Sequence, residues 1–316
     1  MQYRRLGNSG LQVSVIGLGG TPFGSTLDEA ATARVVGAAL DLGVNVFDAS
    51  AAYGNGKCQE YVGRAVASRR SEVVLSARLA GGPTAGTGPN ERSLSRLRVT
   101  KGVEDALRRF DTDYIDLFEA QPPLPTSPDT MAEMLRTFDD LVSAGKVRYV
   151  GASNYPAWQL VEAQCMARAG SMSQFVAIEA PYSLLNRAIE RDFVPACSAY
   201  GVGIIPYSPL AGGFLTGKYH RGEPVPEGVR GYNNPNFSNT MTERNFSIVE
   251  GLSAFAKGRG HTVGELALAW LCAQPQVSSV IAGATKAEQV AENVKAADWA
   301  LTADDLAAID KLTLAG

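Results

Sequence analysis

Histidine is scarce in this chain: His220 and His261 are the only two among 316 residues. Two imidazoles cannot build a metal cluster by themselves, so no metal site is expected. A His-based mechanism is open only to one of these two. Cysteine is sparse as well. Cys58, Cys165, Cys197 and Cys272 lie far apart with no CxxC pair. They read as reduced thiols of a cytoplasmic protein, not as a disulfide or zinc framework. No apolar run approaches the roughly 18 residues of a membrane helix. The opening residues, 1–5, lack the apolar core of a signal peptide. A net charge of −3 with scattered Lys and Arg leaves no basic footprint for nucleic acid. The pair Arg69-Arg70 reads as a helix end meeting its own dipole. What is present is ordinary for a globular protein: 45% hydrophobic and 19% charged residues, enough to bury a sizeable core.

Short apolar runs alternate with helical periodicity along the chain. Two strand-like pieces flank Asn8-Ser9-Gly10, a hairpin turn signal, within residues 2–15. From Val15 onward strands are expected at 15–20, 44–48, 73–76, 114–118, 147–151, 175–178, 202–206 and 277–282. Helices are expected at 28–42, 58–68, 93–110, 129–144, 158–169, 187–200, 243–257, 263–274, 286–296 and 303–312. The stretches 81–90 and 211–239 are rich in Gly, Pro and Asn and read as loops. Eight strands separated by helices, with no composition shift marking a linker, predict one domain over 1–316. The predicted architecture is a (β/α)8 TIM barrel whose N-terminal β-hairpin plugs the bottom.

In a parallel barrel the strand C-termini converge on one mouth. Asp48 and Tyr53 come from the second strand, Arg78 from the third, and Glu119 or Gln121 from the fourth. Ser153 and Asn154 follow the fifth, Glu179 and Tyr182 the sixth, and Tyr207 and Ser208 the seventh. An acid, a phenol and a guanidinium form a proton-transfer set. Arg78 is expected to favour the tyrosinate and make Tyr53 a stronger acid. Each residue also has a plainer reading. Asp48 caps a turn, Arg78 merely neutralises Asp48, Ser153-Asn154 caps the next helix, and Glu179 is solvated in a loop. After the eighth strand, Gly283-Ala284-Thr285-Lys286 opens a helix. Its free N–H groups, a hydroxyl and a Lys make an anion site, with a phosphate as the expected occupant; ordinary capping by Thr285 is the plainer alternative.

These residues fall in stretches that resemble the aldo-keto reductase superfamily along essentially the whole chain. The matching segments are Arg5-Leu6-Gly7 with Gly10-Leu11-Gln12-Val13-Ser14, then Asn45-Val46-Phe47-Asp48-Ala49-Ser50 with Tyr53-Gly54. Next come Asp113-Tyr114-Ile115-Asp116-Leu117, the run from Gly145 to Asn154, and Tyr207-Ser208-Pro209-Leu210. The run from Gly212 to Tyr219 and Gly283-Ala284-Thr285 through Gln289 and Asn293 complete the set. The resemblance implies a barrel binding NADP(H) and moving a hydride between nicotinamide and a carbonyl, with Tyr53 as proton donor. It implies that Asp48 and Tyr53 fill two of four catalytic positions, that Ser153 and Asn154 hold the carboxamide, and that Tyr207 stacks on the nicotinamide. Ser208, Leu210 and the Gly212–Lys218 loop would cover the pyrophosphate. Gly283, Thr285, Lys286, Gln289 and Asn293 would hold the adenosine end with its 2′-phosphate.

Three positions depart from the family pattern. Arg78 stands where the family has a catalytic Lys, Gln121 where it has a His, and Glu179 where it has a carboxamide-binding Gln. Gln121 can donate to a carbonyl but cannot titrate. Glu179 can accept from the carboxamide NH2, or stabilise the nicotinamide cation and so favour alcohol oxidation. The leading expectation is an NADP(H)-dependent oxidoreductase acting on a small carbonyl or alcohol. The alternative is an NADP(H)-binding barrel without ordinary reductase turnover, a nucleotide sensor or a non-redox biosynthetic enzyme. A structural or regulatory subunit is the third class, for which the sequence shows no docking segment. The substrate pocket is expected to be lined by Pro22, Phe23, Phe118 and the loops 81–90 and 232–239.

Overall fold

A computed structural model of the chain describes residues 1–79, 90–91, 93–121, 128–227, 232 and 235–314. The hairpin β1 (Tyr3–Arg5) and β2 (Gln12–Ser14) pairs antiparallel, Tyr3 opposite Ser14. The barrel strands follow: β3 (Ile16–Gly19), β4 (Val46–Asp48), β5 (Val74–Leu79), β6 (Ile115–Ala120), β7 (Val147–Ser153), β8 (Ala177–Pro181), β9 (Gly203–Tyr207) and β10 (Val280–Gly283). They form one eight-stranded parallel sheet in the order β10-β3-β4-β5-β6-β7-β8-β9. The two ends of that sheet meet where Ile204 bridges Val277 in parallel. There the Ile204 N–H donates to Gln276 O and Ser278 N–H donates to Ile204 O, each at 2.9 Å. The strand expected to begin at Val277 therefore splits into a closing bridge and a later ladder. The fold is the expected (β/α)8 barrel with an N-terminal hairpin.

The ten α-helices among the described residues are α1 (Glu29–Asp41), α2 (Lys57–Val66), α3 (Arg96–Phe110), α4 (Pro128–Ser143), α5 (Ala157–Ala169), α6 (Phe193–Tyr200), α7 (Glu243–Lys257), α8 (Val263–Cys272), α9 (Ala287–Ala296) and α10 (Ala303–Leu314). None is long and apolar enough to cross a membrane. Their starts follow the chemistry of the cap residue. Asp28, Ser95, Thr242 and Thr262 each accept a backbone N–H at the head of a helix, and Thr262 with Glu265 completes a reciprocal capping box. The helix expected at 187–200 is shorter than predicted. Residues 188–190 form a single 3-10 turn, and Asp192 at φ −133° breaks the path before α6. Arg187, at the start of this turn, bonds Glu190 on the turn and Asp310 on α10, both at 2.7 Å.

Side chains alternate along each strand. Outward residues such as Phe47, Leu75, Ala77, Phe118, Val150 and Ile178 pack under the helices. Phe118 lies edge-on to Phe138 of α4, with ring centroids 6.0 Å apart. It therefore belongs to the helix layer and not to the substrate pocket where it was expected, because its strand neighbours Leu117 and Glu119 hold the inward positions. Phe23, also expected at the pocket, is buried in the same core. Inside the barrel, Val46, Val74, Leu117, Ala177, Ile205 and Ile281 form one apolar floor with Leu6 and Val13 of the hairpin. The hairpin fills the bottom as predicted. The loop expected at 211–239 carries short 3-10 turns at Ala211–Thr216 and Pro235–Thr240, and residues 228–231 and 233–234 lie outside the described residues. It is anchored by aromatics: Phe214 packs on Tyr219, Phe237 and Phe246. Of the other expected loop, residues 80–89 lie outside the described residues.

Candidate active site

Above the apolar floor the inward positions turn polar. Asp48 ends β4, Arg78 and Ser76 lie on β5, Glu119 on β6, Ser153 on β7, Glu179 on β8 and Tyr207 on β9. The register sets Asp48 opposite Ser76, Arg78 opposite Glu119, and Ser153 opposite Glu179. Period-two alternation thus delivers side chains from six strands to one layer.

Arg78 is the hub. Its Nη2 donates to Tyr53 Oη at 2.7 Å and lies 3.6 Å from Asp48 Oδ2. Its Nη1 pairs with Glu179 Oε2 and lies 3.5 Å from Ser153 Oγ. Asn154 Nδ2 donates to Ser153 Oγ at 3.2 Å, and Tyr207 Oη donates to Asn154 Oδ1 at 2.8 Å. One network therefore joins Asp48, Tyr53, Arg78, Ser153, Asn154, Glu179 and Tyr207. The plainer readings are narrowed by this geometry. Helix α5 is preceded by Pro156 with no side-chain cap, so Ser153 and Asn154 do not cap it. Glu179 is 1% exposed within a strand, not solvated in a loop. Arg78 does pair with Asp48, but it also holds Tyr53 and Glu179.

Two backbone features position the phenol. Tyr53 opens a tight turn in which Gly54 and Asn55 are left-handed, at φ 56° and 54°. A Cβ on Gly54 would lie 2.7 Å from the carbonyl carbon and oxygen of Gly24, so only glycine lets the two loops touch. Asn154 also sits at φ 60°, with its N–H donating to Glu179 O at 3.0 Å.

Burial governs the electrostatics. Tyr53 is pushed up to about 12, by burial first and then by Asp48; Arg78 and Thr21 pull the other way but do not prevail. Arg78 does pull the phenol down, as expected, but desolvation and a neighbouring carboxylate outweigh it, so Tyr53 ends as a weaker acid than a free phenol. Burial also raises Asp48, with Arg78 opposing. Burial works against the charge of Arg78, yet Asp48, Tyr53 and Glu119 leave it above its ordinary value. Glu119 is pushed up to about 8 by burial, with Arg78 and Ser76 opposing and Asp48 adding to the rise. Asp48, Glu119 and Glu179 each bring one oxygen within 4.8 Å of the others, a spacing suited to a shared cation. The guanidinium of Arg78 pairs directly with Asp48 and Glu179, and Glu119 feels its charge without a direct contact.

The remaining sequence-predicted residues form outer groups. Gln121 is half-buried one residue past β6, and among the described residues no hydrogen bond joins it to the network. Ser208 and Ala211 are left-handed, followed by Gly212, Gly213 and Gly217, with Leu210 half-buried and Lys218 exposed beside them. Gly283, Thr285, Lys286 and Gln289 are exposed at the head of α9, and Asn293 is half-buried one turn on. The Thr285 N–H and hydroxyl both donate to Gln289 Oε1, at 2.8 and 3.1 Å, while Lys286 at the cap position makes no side-chain cap bond. Among the described residues no side chain caps the first N–H groups of α9, and Thr285 is not their cap.

Sequence reasoning undervalued Glu119. It weighed Glu119 against Gln121 for the fourth strand and favoured the latter. The signal was an acid two positions after inward-facing Leu117, inside an otherwise apolar run.

An aldo/keto reductase family model matches residues 15–313 of the chain. The chain belongs to the aldo/keto reductase family. A protein of Oryza sativa subsp. japonica named "Probable voltage-gated potassium channel subunit beta" is 37% identical over 305 residues, covering 94% of this chain and 92% of that protein. A "Putative voltage-gated potassium channel subunit beta" of Schizosaccharomyces pombe is 36% identical, covering 98% and 90%. An "Uncharacterized oxidoreductase YrpG" of Bacillus subtilis is 33% identical, covering 95% and 92%. For this aldo/keto reductase, family membership and the Bacillus relative support an oxidoreductase.

Proposed function

We propose that the chain, acting as one domain, is an NADP(H)-dependent oxidoreductase that interconverts a small carbonyl and its alcohol. The observation that carries this reading is the 2.7 Å contact of Arg78 Nη2 with Tyr53 Oη, beside Asp48, at the strand ends of the barrel. A phenol pushed up to about 12 is protonated at neutral pH and is a competent donor to a carbonyl oxygen. Arg78 stabilises the tyrosinate left behind, and Gln121 offers a further N–H to that oxygen.

The residues present fit a dinucleotide. Asn154, fixed by Ser153 and Tyr207, and the acceptor Glu179 form a carboxamide seat, and Tyr207 supplies a ring face for the nicotinamide. The left-handed run through Ser208, Ala211, Gly212 and Gly213, with Leu210 and Lys218, suits a pyrophosphate. The first N–H groups of α9, capped by no described side chain, with Gly283, Thr285, Lys286, Gln289 and Asn293, suit the adenosine phosphate. When bound, the cofactor carries the two electrons of the redox step.

The test is fluorescence titration with NADPH, followed by aldehydes, ketones and aldoses in the same cuvette. Binding with turnover supports the proposal, and failure to bind sinks it. Binding without turnover in either direction supports a second reading, an NADP(H)-binding barrel without ordinary reductase activity. That reading is favoured by the capture of Arg78 between Glu179 and Asp48. Its form is a nucleotide sensor or a non-redox biosynthetic enzyme; a subunit of a larger assembly, as two relatives are named, is a separate third reading.

A further inference from the structure

We propose that Glu119 is the proton-linked charge compensator of the barrel mouth: its carboxyl holds a proton when the nicotinamide ring is neutral and releases it when the ring is cationic. The proposal rests on the NADP(H) reading above and deepens it.

Geometry singles out Glu119. Its side chain is fully buried on the inward face of β6, directly opposite Arg78 in the ladder. Room for it comes from Gly151 on β7, where an added Cβ would lie 3.1 Å from Glu119 Cγ and 3.0 Å from Ala177 O. Ser76 Oγ donates to its Oε2 at 3.1 Å. Its Oε1 and Oδ1 of Asp48 are both buried without a hydrogen-bond partner among the described residues. The oxygens of Asp48, Glu119 and Glu179 lie within 4.8 Å of one another, a separation that one water bridges.

The charge count decides the chemistry. The groups facing Glu119 are Asp48 from β4, Ser76 and Arg78 from β5 and Glu179 from β8, with Gly151 opposite it on β7 and Tyr53 and Tyr207 beyond Arg78. Three ionised carboxylates around one guanidinium leave an excess of two negative charges in a space closed to solvent. Arg78 spends its fork on Glu179, Tyr53 and Asp48. Glu119 keeps only a hydroxyl donor, so it is the carboxyl that stays neutral most readily. The rise of Glu119 to about 8 agrees with this. A cationic nicotinamide held by Asn154, Glu179 and Tyr207 would supply the missing positive charge and let Glu119 ionise. In alcohol oxidation the substrate hydroxyl gives up one proton as the ring becomes neutral. An ionised Glu119 can hold that proton, so the net charge of the mouth does not change.

The experiment is titration calorimetry of the full chain with NADP+ and, separately, NADPH. Each is run at about pH 7 in two buffers of different ionisation enthalpy, which counts protons exchanged on binding. The phosphates are the same in both cofactors, so the difference reports the ring. NADP+ is expected to release up to about one proton more than NADPH, and Glu119→Gln is expected to abolish that difference. Infrared difference spectra of the unsubstituted protein give a second readout that does not depend on the variant folding: a protonated-carboxyl band is expected to disappear on NADP+ binding. Equal proton counts, a difference that survives in Glu119→Gln, or an unchanged carboxyl band overturns the proposal while leaving the NADP(H) reading intact. Failure to bind either cofactor overturns both.

Discussion

Tyr53 and Arg78 are each held by more than one partner, so substitutions there separate chemistry from binding. Tyr53→Phe removes the proton donor but keeps the ring. Turnover is expected to fall by about 10^2–10^4-fold with NADPH affinity nearly unchanged, as steady-state kinetics and fluorescence titration would show. Glu179→Gln removes one of the two carboxylates that Arg78 holds directly. It also replaces an acceptor with a group that can donate as well. The ratio of NADP+ to NADPH affinity is expected to shift toward NADPH, and equal ratios in variant and parent would remove that role. Glu119 carries a pH signature in stability. Its folded value lies above the ordinary 4.5, near 8. The folded state therefore binds more protons than the unfolded chain between those values. The stabilising contribution is complete below about 4.5 and is lost as pH rises through about 8, with a slope of at most ~1.4 kcal/mol per pH unit. In urea unfolding, Glu119→Gln is expected to lose less stability than the parent between these limits.

At the scale of elements, strand ends explain both what the sequence disclosed and what it hid. Apolar runs predicted strand ends at 76, 118, 151, 178 and 206. The strands end instead at Leu79, Ala120, Ser153, Pro181 and Tyr207. Each extension adds a polar site residue: Arg78, Glu119, Ser153, Glu179 and Tyr207. Hydrophobic periodicity marks residues facing the helix layer or the apolar floor, and it fails where the barrel interior becomes polar. Helix ends were easier to read, because caps are local chemistry. Thr262→Ala breaks the capping box of α8 and is expected to cost about 1 kcal/mol. Asp116 is a different case. It joins β5 to β6, accepting the Leu75 N–H at 3.0 Å and pairing with Arg70 at 2.7 Å, with only 12% of its side chain exposed. Asp116→Ala leaves the Leu75 N–H without its acceptor, while Arg70 keeps Thr112, Val73 and Tyr114 as partners, and is expected to cost about 1–3 kcal/mol in chemical denaturation.

For the whole molecule, closure and plugging are cooperative features of the barrel. Leu6 is 1% exposed and shares its floor with residues from β4, β5, β6, β8, β9 and β10. Leu6→Ala is expected to destabilise the whole barrel by about 2–5 kcal/mol, read as a lower urea midpoint. Around the mouth, three carboxylates, two phenols and one guanidinium share a volume from which water is largely excluded. Their protonation states belong to the group and not to any one residue.

The order and number of strands and helices, the hairpin at the start and the placing of Asp48 and Tyr53 at one strand end were determined by the sequence by itself. These features follow from local rules: periodicity reports which face is buried, and caps and glycines report where the chain turns. The tertiary structure alone decided the closing bridge from Ile204 to Val277, the outward turn of Phe118, the inclusion of Glu119 and the upward direction of Tyr53. Each depends on residues far apart in the chain. A pKa is set by burial and by charges from several strands at once, and these distances exist only after the barrel has closed.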